Sequence, residues 1–336
     1  YTMTHNFARM YTRYKYKSEQ DFLNFGNIGD CIQNIAVENL YRKIGILPTD
    51  LTLINRDELP SYSGAHANLV MQSWFGHTNG TFPLPWSDNI TPIFLGFHIN
   101  SSNGGRDMFV AANVPEKMRK FEPIGCRDRN TRDFLRSFGL DAYFSGCLTL
   151  TLDKRTKKPT GVGKTFVVDL NPKALARLPR RIRKRADFSI THLYQFNTYP
   201  ISENDAIEFE NAARKILQRY RDEAGLVITS RIHVAMPCVA MGIPVVFITD
   251  RPRDERFDVL RGILPVYSYR DMGWVKWHPV APDISKLKES IINNAIAQIT
   301  QQNTKTARQE LDKITDQLQT IKPVPMIGRV LRKIFK

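Results

Sequence analysis

The clearest indication of the fold lies in residues 226–248, which read LVITSRIHVAMPCVAMGIPVVFI. Two short apolar runs, residues 226–229 and 244–248, stand on either side of a segment long enough for one helix, and that segment ends at Gly242. Short apolar runs bounded by turn residues predict buried strands, and a strand–helix–strand unit predicts a parallel pair. This stretch therefore predicts a parallel sheet with helices packed on it.

The same alternation of strands and helices extends along most of the chain. The further strands that we predict are residues 21–25, 51–54, 92–99 and 166–170, and the further helices are residues 31–44, 131–138 and 202–224. Such alternation predicts an α/β protein with two doubly wound, Rossmann-like sheets. In these sheets ligands bind beyond the carboxyl ends of the strands, so the residues that follow each strand are the candidate site.

The length of the chain supports two such domains. Its 336 residues, 42% of them hydrophobic, exceed the size at which one core usually suffices. A polar stretch at residues 153–164 marks the boundary, so we predict a Rossmann-like domain at residues 1–158 and a second at residues 159–300. The remainder, residues 301–336, is predicted to be a helical tail, because its apolar residues from Ala307 to Ile321 recur in steps of four and three.

The net charge narrows the class of partner. The chain carries 48 Lys and Arg against 33 Asp and Glu, a formal charge of +15. Such an excess favours nucleic acid, an anionic membrane or a phosphorylated substrate. No nucleic-acid-binding module is recognisable and the basic run at residues 180–185 is short, so we predict no nucleic-acid partner and interpret the run as a solvated surface patch.

Cysteine usage and hydropathy indicate the compartment. The four cysteines are widely spaced and form no CxxC pair, which predicts buried free thiols in a reducing compartment: Cys31, Cys126, Cys147 and Cys238. The sequence has no apolar signal segment and no run of about 20 apolar residues that could span a membrane. We therefore expect a cytoplasmic protein, and the absence of a metal-ligand cluster predicts no metal site.

The first candidate motif is the stretch NFGNIGD at residues 24–30, where a predicted strand meets a helix. Its two glycines allow a tight turn and a close approach of the backbone to a ligand, and free amides at a helix start suit an anion or a polar sugar group. The GxGxxG pattern is missing, so a dinucleotide is not indicated. The alternative is a plain strand-to-helix turn with Asp30 as the helix N-cap.

The second motif is GCRDRNT at residues 125–131. Asp128 or Thr131 could cap the helix that follows, while Arg127 and Arg129 could hold a phosphate or a carboxylate in a bidentate way. The alternative is an Arg–Asp surface pair beside the cap.

The third motif places Arg231 and His233 directly after the apolar strand of residues 226–229. At that strand end both side chains could face the cleft as the next helix starts. A guanidinium and an imidazole together bind an oxyanion and move a proton at neutral pH, so we predict that both residues are catalytic. The alternative for His233 is a structural histidine.

Taken together, these motifs resemble a known family. Residues 227–233 followed by residues 240–246 look like the signature of the polysaccharide pyruvyl transferases, an apolar strand that enters Arg-x-His and then a helix and a Gly-x-Pro strand. Residues 24–30 are similar to the family's N-terminal Gly-Asp loop, and residues 126–131 with 144–150 to its central Arg-Asp region. The resemblance runs from residue 21 to about residue 250. Family members often carry Asp where this chain has Ser145-Gly146-Cys147, so no carboxylate role is expected there.

The resemblance implies two Rossmann-like domains facing a central cleft, as in GT-B glycosyltransferases, with the donor bound by the second domain. It implies transfer of a ketal-forming pyruvyl group from phosphoenolpyruvate to a saccharide, free or lipid-linked, with no other cofactor. The residues it assigns to the donor are Arg127, Arg231, Asn27, Gly29 and Asp30, with His233 as general acid or base and His192 and Arg129 as further cleft candidates. The alternative is a GT-B glycosyltransferase with a nucleotide-sugar donor.

The end of the chain predicts a contact with a membrane. Within residues 326–336 the apolar residues form one stripe of a helix, and four Lys and Arg occupy the remaining surface. A basic amphipathic helix of this kind can lie in an anionic membrane interface, here the inner face of the cell membrane. The alternative is that the stripe docks on the protein itself or on a partner subunit.

Overall fold

The computed structural model describes residues 6–14, 24–75, 82–101 and 104–319. Two predictions fall outside these ranges. They are the first three residues of the strand predicted at residues 21–25 and the basic amphipathic helix at residues 326–336.

Fourteen strands lie in the described ranges. In chain order they are β1 (Phe7–Tyr11), β2 (Phe25–Asn27), β3 (Thr52–Asn55), β4 (Ala67–Val70), β5 (Trp74–Phe75), β6 (Ile90–Ile93), β7 (His98–Ile99), β8 (Ile124–Cys126), β9 (Ala142–Phe144), β10 (Lys164–Val168), β11 (Leu193–Gln195), β12 (Ala224–Thr229), β13 (Val245–Thr249) and β14 (Val266–Ser268).

Ten α-helices accompany them in the same part of the chain. They are α1 (Ile28–Lys43), α2 (Gly105–Ala111), α3 (Val114–Met118), α4 (Arg129–Arg136), α5 (Pro172–Leu175), α6 (Arg180–Arg185), α7 (Glu203–Glu223), α8 (Ile232–Ala240), α9 (Ser285–Ile299) and α10 (Lys305–Gln319).

The first sheet has the strand order β3-β1-β4-β6, and every pairing is parallel. The pair β8–β9 is also parallel, and an isolated bridge joins Cys126 of β8 to Phe97 in the segment between β6 and β7. After β1 the chain forms β3 on one side of β1 and then β4 on its other side. The strand order therefore changes direction between β1 and β4. In an open α/β sheet such a switch point is where a ligand crevice forms.

The second sheet has the order β10-β12-β13-β14 and is also parallel throughout. The molecule is thus a mixed α/β protein with several parallel sheets, and no sheet of the described residues closes into a barrel. Helix α8 lies between β12 and β13, as the alternation of residues 226–248 predicts, and Gly242 ends it with a φ of +75°.

Several predicted boundaries differ from the structure; the helix predicted at residues 131–138, for example, is α4 at Arg129–Arg136, and two further differences have a clear local cause. The strand expected at residues 92–99 is interrupted, because Gly96 adopts a left-handed φ of +66° and turns the chain between β6 and β7. Helix α1 begins at Ile28 rather than at Cys31, because the Asn27 side chain accepts a hydrogen bond from the Gly29 amide and caps the helix. The alternative in which Asp30 caps this helix is therefore wrong.

The largest hydrophobic core lies between the two sheets and draws on both halves of the chain. Helices α1, α7, α8 and α9 contribute to it, together with strands of each sheet. Two smaller clusters cover the outer faces, one on the first sheet and one on the second. The boundary predicted near residue 158 stays a prediction, since this shared core packs the halves directly against each other.

The two C-terminal helices return to the first half of the molecule. Gln298 of α9 bonds the Pro123 carbonyl at 2.8 Å, and Arg308 of α10 pairs with Asp141 at 2.6 Å. Helix α10 confirms the part of the seam predicted for residues 307–321 that lies in the described ranges, with Leu311 fully buried, whereas Ile321 lies outside them. Among the helices in the described ranges, none has the length and apolar character that a membrane span needs.

Candidate active site

The carboxyl ends of both sheets meet at the N-terminus of α1. Tyr14 and Arg56 follow strands β1 and β3, Arg127 follows β8, and Asp169 and Arg231 follow β10 and β12. The Ile28 amide of α1 donates to the His192 carbonyl at 2.8 Å and so links this helix to the second half of the molecule. Charged groups from both halves therefore surround one helix start.

Arg127 is the most unusual of these residues. Its side chain is buried, with 1% exposed, and within the described ranges it forms no hydrogen bond or ion pair. Burial lowers the pKa of its guanidinium, because removal from water disfavours the charged form. A buried cation without a paired anion is costly, and an anionic ligand at this point would lower that cost.

His98 lies in the same cluster, and the sequence analysis missed it. Its Nδ1 is 2.5 Å from Oδ2 of Asp128, which also caps α4 by accepting from the Thr131 amide at 2.8 Å. The pKa of His98 is lowered to about 4, mainly by burial and secondly by the positive charge of Arg127. The ring is therefore neutral at pH 7, with its proton on Nδ1, and no group of the described residues bonds Nε2.

His233 stands in the first turn of α8, as predicted, and is 8% exposed. Burial lowers its pKa well below the usual value, and Arg127 adds to the effect. Its ring packs against the start of α1 so closely that a Cβ on Gly29 would lie 2.8 Å from the Cβ of His233. Gly29 thus serves the close approach of two helix starts.

Cys147 ends the segment Ser145-Gly146-Cys147, in which the resemblance suggests an Asp in other members. The thiol is fully buried, and its Sγ is 3.9 Å from Nε2 of His233 and 3.2 Å from Oγ1 of Thr149. Burial raises the pKa of the thiol, so it is neutral. The thiol therefore adds no negative charge beside Arg127, on which the carboxylates of Asp128 and Asp30 act without forming an ion pair.

Arg231 is already bound to a carboxylate that the sequence analysis did not single out. Its Nε is 2.6 Å from Oδ2 of Asp169, a residue that adopts the left-handed φ of +44°. The same carboxylate accepts hydrogen bonds from the His192 amide at 2.9 Å and the Thr191 hydroxyl at 2.7 Å. Arg231 is 30% exposed, so part of its guanidinium faces solvent beside the cluster.

His192 is fully buried, and its Nε2 is 3.0 Å from the Tyr220 hydroxyl. Burial lowers its pKa to about 3, although the carboxylate of Asp169 opposes the shift. The side chain lies close enough to affect the pKa of His233. Its ring bonds the Tyr220 hydroxyl of α7 and its carbonyl accepts from the Ile28 amide of α1, so His192 links the two helices beside the cluster.

The carboxylate of Asp30 pairs with a cationic side chain of the protein itself, that of Arg56. Its carboxylate accepts from Tyr14 at 2.8 Å and from Nη1 of Arg56 at 3.0 Å. Arg56 is almost fully buried; burial opposes its charge, but the carboxylates of Asp57 and Asp30 raise its pKa. The sequence analysis missed Arg56, which lies just after strand β3, and its Nη2 lacks a hydrogen-bond partner among the described residues.

Arg129 points to the other half of the molecule. Its Nη1 is 3.0 Å from Oδ2 of Asp258, and its guanidinium lies 4.4 Å from the centre of the Phe144 ring. The charge is therefore already compensated, and the contact joins the two halves. Arg256, which follows β13, is close enough to lower the pKa of both Arg127 and His98, so the second half adds a further cation.

Comparison with known proteins places this geometry in a family. A family model described as polysaccharide pyruvyl transferase matches residues 27–251, more than half of the chain. Among solved structures, the chain is similar to an uncharacterised protein from Klebsiella pneumoniae, with a TM-score of 0.42 and 16% identity over 76% of this chain and 87% of that chain. No curated protein sequence matches the chain significantly.

Proposed function

The chain belongs to the polysaccharide pyruvyl transferase family, and from that premise we propose that it transfers a pyruvyl group from phosphoenolpyruvate to a saccharide hydroxyl pair. The product is a pyruvate ketal, and inorganic phosphate is released. The acceptor is a sugar of a surface polysaccharide or of its lipid-linked precursor.

The observation that carries this proposal is the buried, unpaired guanidinium of Arg127. Phosphoenolpyruvate bears a phosphate and a carboxylate, and either group can complete the hydrogen bonding of a guanidinium in a bidentate way. Arg231, partly exposed beside the cluster, offers a second cation. The amide-rich starts of α1 and α8 add positive potential, since helix N-termini favour anions.

The proposed acid is His233. In the free protein its low pKa keeps the ring neutral. The negative charge of the donor raises that pKa, because a nearby anion favours the imidazolium form. His233 therefore takes up a proton as the donor binds and passes it to the methylene carbon of phosphoenolpyruvate.

Positive charge then develops at C2 of the donor, where a sugar hydroxyl attacks. We assign the hydroxyl proton to Nε2 of His98, which Asp128 orients through Nδ1. Phosphate leaves with the electrons of its bond to C2, and a second hydroxyl closes the ketal with loss of its own proton. One proton is gained at the methylene carbon and two are released from the hydroxyls, so the transfer is balanced once phosphate takes up the difference.

We propose further that the two sheets act as the halves of a GT-B-like enzyme, with the second half holding the donor, and that the protein works in the cytoplasm. The support is that the carboxyl ends of both sheets supply charged groups to one cluster. The domain limits predicted at residues 158 and 300 are part of this two-domain proposal.

The test is a thermal-unfolding panel with phosphoenolpyruvate and a set of nucleotide sugars. Phosphoenolpyruvate at about 100 times its Kd should stabilise the protein by about 2.7 kcal/mol. Protection by a nucleotide sugar alone would contradict the proposal and favour a glycosyltransferase. Release of phosphate from phosphoenolpyruvate in the presence of saccharides extracted from the source cell is the second readout.

A further inference from the structure

The segment that contains α5 and α6 concentrates positive charge. Residues 170–186 include seven Lys and Arg and no Asp or Glu. All seven side chains are exposed, and none of them pairs with a carboxylate in the described ranges. We call these residues the basic face: Lys173, Arg177, Arg180, Arg181, Arg183, Lys184 and Arg185.

The basic face differs from other charged surfaces of the molecule. On α7, for example, Arg219 pairs with Glu223 at 3.1 Å, and Glu223 also binds Lys164. Such pairing neutralises an exposed cation locally, whereas neighbouring cations without carboxylates repel one another and create a strong positive potential. The exposure of α6 agrees with the solvated patch predicted from the sequence, but its unpaired charge fits an anionic partner.

Exposed aromatic residues border the basic face. Lys173 and Arg177 lie over the ring of Tyr269 at 5.6 and 5.1 Å from its centre. The turn that follows Tyr269 carries Trp274, whose surface is 58% exposed, and Phe188 after α6 is 47% exposed. The turn and the two helices pack on one hydrophobic cluster, and Lys173 and Arg177 contact Tyr269, so the turn that carries Trp274 adjoins the basic face.

We propose that this surface docks on an anionic phospholipid membrane. Cations near anionic lipid contribute additively to binding, and Trp prefers the layer of lipid headgroups, where its ring is buried and its N–H stays hydrated. Single-stranded nucleic acid is a poorer fit, because its binding sites present aromatic rings in series along a basic groove. Here the two exposed rings, Phe188 and Trp274, lie on separate segments.

The proposed docking surface lies next to the charged cluster. Helix α5 starts just after Asp169, and the Asn171 amide bonds the Ser230 hydroxyl at 2.9 Å, one residue before Arg231. The basic face therefore begins at the edge of the sheet where the charged cluster lies. Docking would hold that edge close to the bilayer, within reach of a membrane-attached molecule.

The test is co-sedimentation of the full chain with vesicles of phosphatidylcholine, pure or with about one third phosphatidylglycerol. We expect binding only to the anionic vesicles, and loss of binding at high salt. The variant that carries Arg180→Gln, Arg181→Gln, Arg183→Gln and Lys184→Gln should bind about 1,000-fold more weakly.

The matched control removes the same charge elsewhere on the surface, with exposed lysines that have no carboxylate partner in the described ranges: Lys157→Gln, Lys158→Gln, Lys286→Gln and Lys313→Gln. This control should bind like the unchanged protein, and both variants should keep its unfolding temperature. Equal binding by the two variants would overturn the proposal, as would binding of single-stranded RNA without binding of vesicles. Membrane docking is proposed independently of donor binding. Thermal protection by phosphoenolpyruvate should therefore be the same in the unchanged protein and in both variants.

Discussion

Two buried arginines of this protein have opposite surroundings. Arg9 of β1 is 6% exposed and contacts both carboxylate oxygens of Glu210 at 2.8 and 2.9 Å, with Glu38 at 3.4 Å. Arg127 is 1% exposed and has no such partner in the described ranges. Residue type and burial are the same, yet only one of the two guanidinium groups is directly paired with carboxylates.

The difference indicates what each region does. Arg9 joins β1 to carboxylates of α1 and α7, and Arg214 binds the same two glutamates at 2.7 Å, so this network connects the two halves. Around Arg127 the nearby thiol and imidazoles are neutral, and the carboxylates of Asp128 and Asp30 act on its charge only through space, without a hydrogen bond or ion pair. We call the first network complete because its guanidinium groups are paired with carboxylates, which stabilises the fold; the cluster around Arg127 is incomplete in this sense, and an anionic ligand would supply the missing partner.

The largest effect is expected at the incomplete cluster. His233→Gln keeps a polar side chain of similar length but removes the proton donor, so turnover should fall by about 10²–10⁴ while the unfolding temperature changes little. Steady-state kinetics with phosphoenolpyruvate as donor measure this. Normal turnover in the variant would remove His233 from the mechanism.

The complete network should respond in stability instead. Arg9→Met removes one of the cations that pair with the buried carboxylates of Glu38 and Glu210. Loss of one partner of a buried ion pair lowers the free energy of unfolding by about 3–5 kcal/mol. Arg214→Met is the control, since Arg214 is 37% exposed and its loss should cost less. Urea unfolding gives both values. Equal losses, or an Arg9 variant that unfolds like the unchanged protein, would contradict the comparison.

The buried histidines predict a pH dependence. Folding lowers the pKa of His98 to about 4 and that of His192 to about 3, so the unfolded chain binds their protons more readily. Stability is therefore complete above about pH 6.5 and is lost as the pH falls towards 4, by about 1.4 kcal/mol per pH unit for each histidine.

The variant His192→Gln tests this dependence. It removes one of these groups but can still bond the Tyr220 hydroxyl, so its urea-derived stability should fall less steeply between about pH 6 and 5. An unchanged slope would show that His192 does not contribute.

A smaller effect is expected for Arg127→Lys. The charge stays, but the planar fork that binds two oxygens is lost, so the KM for phosphoenolpyruvate should rise by about tenfold. Arg129→Lys is the control, because Arg129 is bound to Asp258 and should leave KM unchanged. Equal values of KM for the two variants would remove the distinction between these neighbouring arginines.

Local patterns in the sequence predict much of this architecture. Apolar runs and turn residues place β12, α8 and β13, and they place Arg231 and His233 beyond a strand end. The break at Gly96 was missed, because an apolar run does not reveal a left-handed turn. The catalytic and donor-binding roles stay predictions.

The parts that the sequence does not predict depend on distant contacts. His98 gains its orientation from Asp128, thirty positions away, and Asp169 meets Arg231 only across two adjacent strands. Asp30 belongs to a glycine loop that resembles a ligand-binding motif, yet its carboxylate binds Arg56. Tertiary pairing of this kind leaves no periodic pattern in the chain, although a histidine or arginine just after a buried strand is a usable signal.

The most direct test of the account is the thermal unfolding of Arg127→Met with and without phosphoenolpyruvate. Removing a buried, uncompensated charge should leave the unfolding temperature of the free protein unchanged or raise it, because the cost of its desolvation disappears. The stabilisation by phosphoenolpyruvate should disappear as well. A variant that is destabilised like Arg9→Met and is still protected by phosphoenolpyruvate would contradict the central claim, that Arg127 is buried to bind the anionic donor.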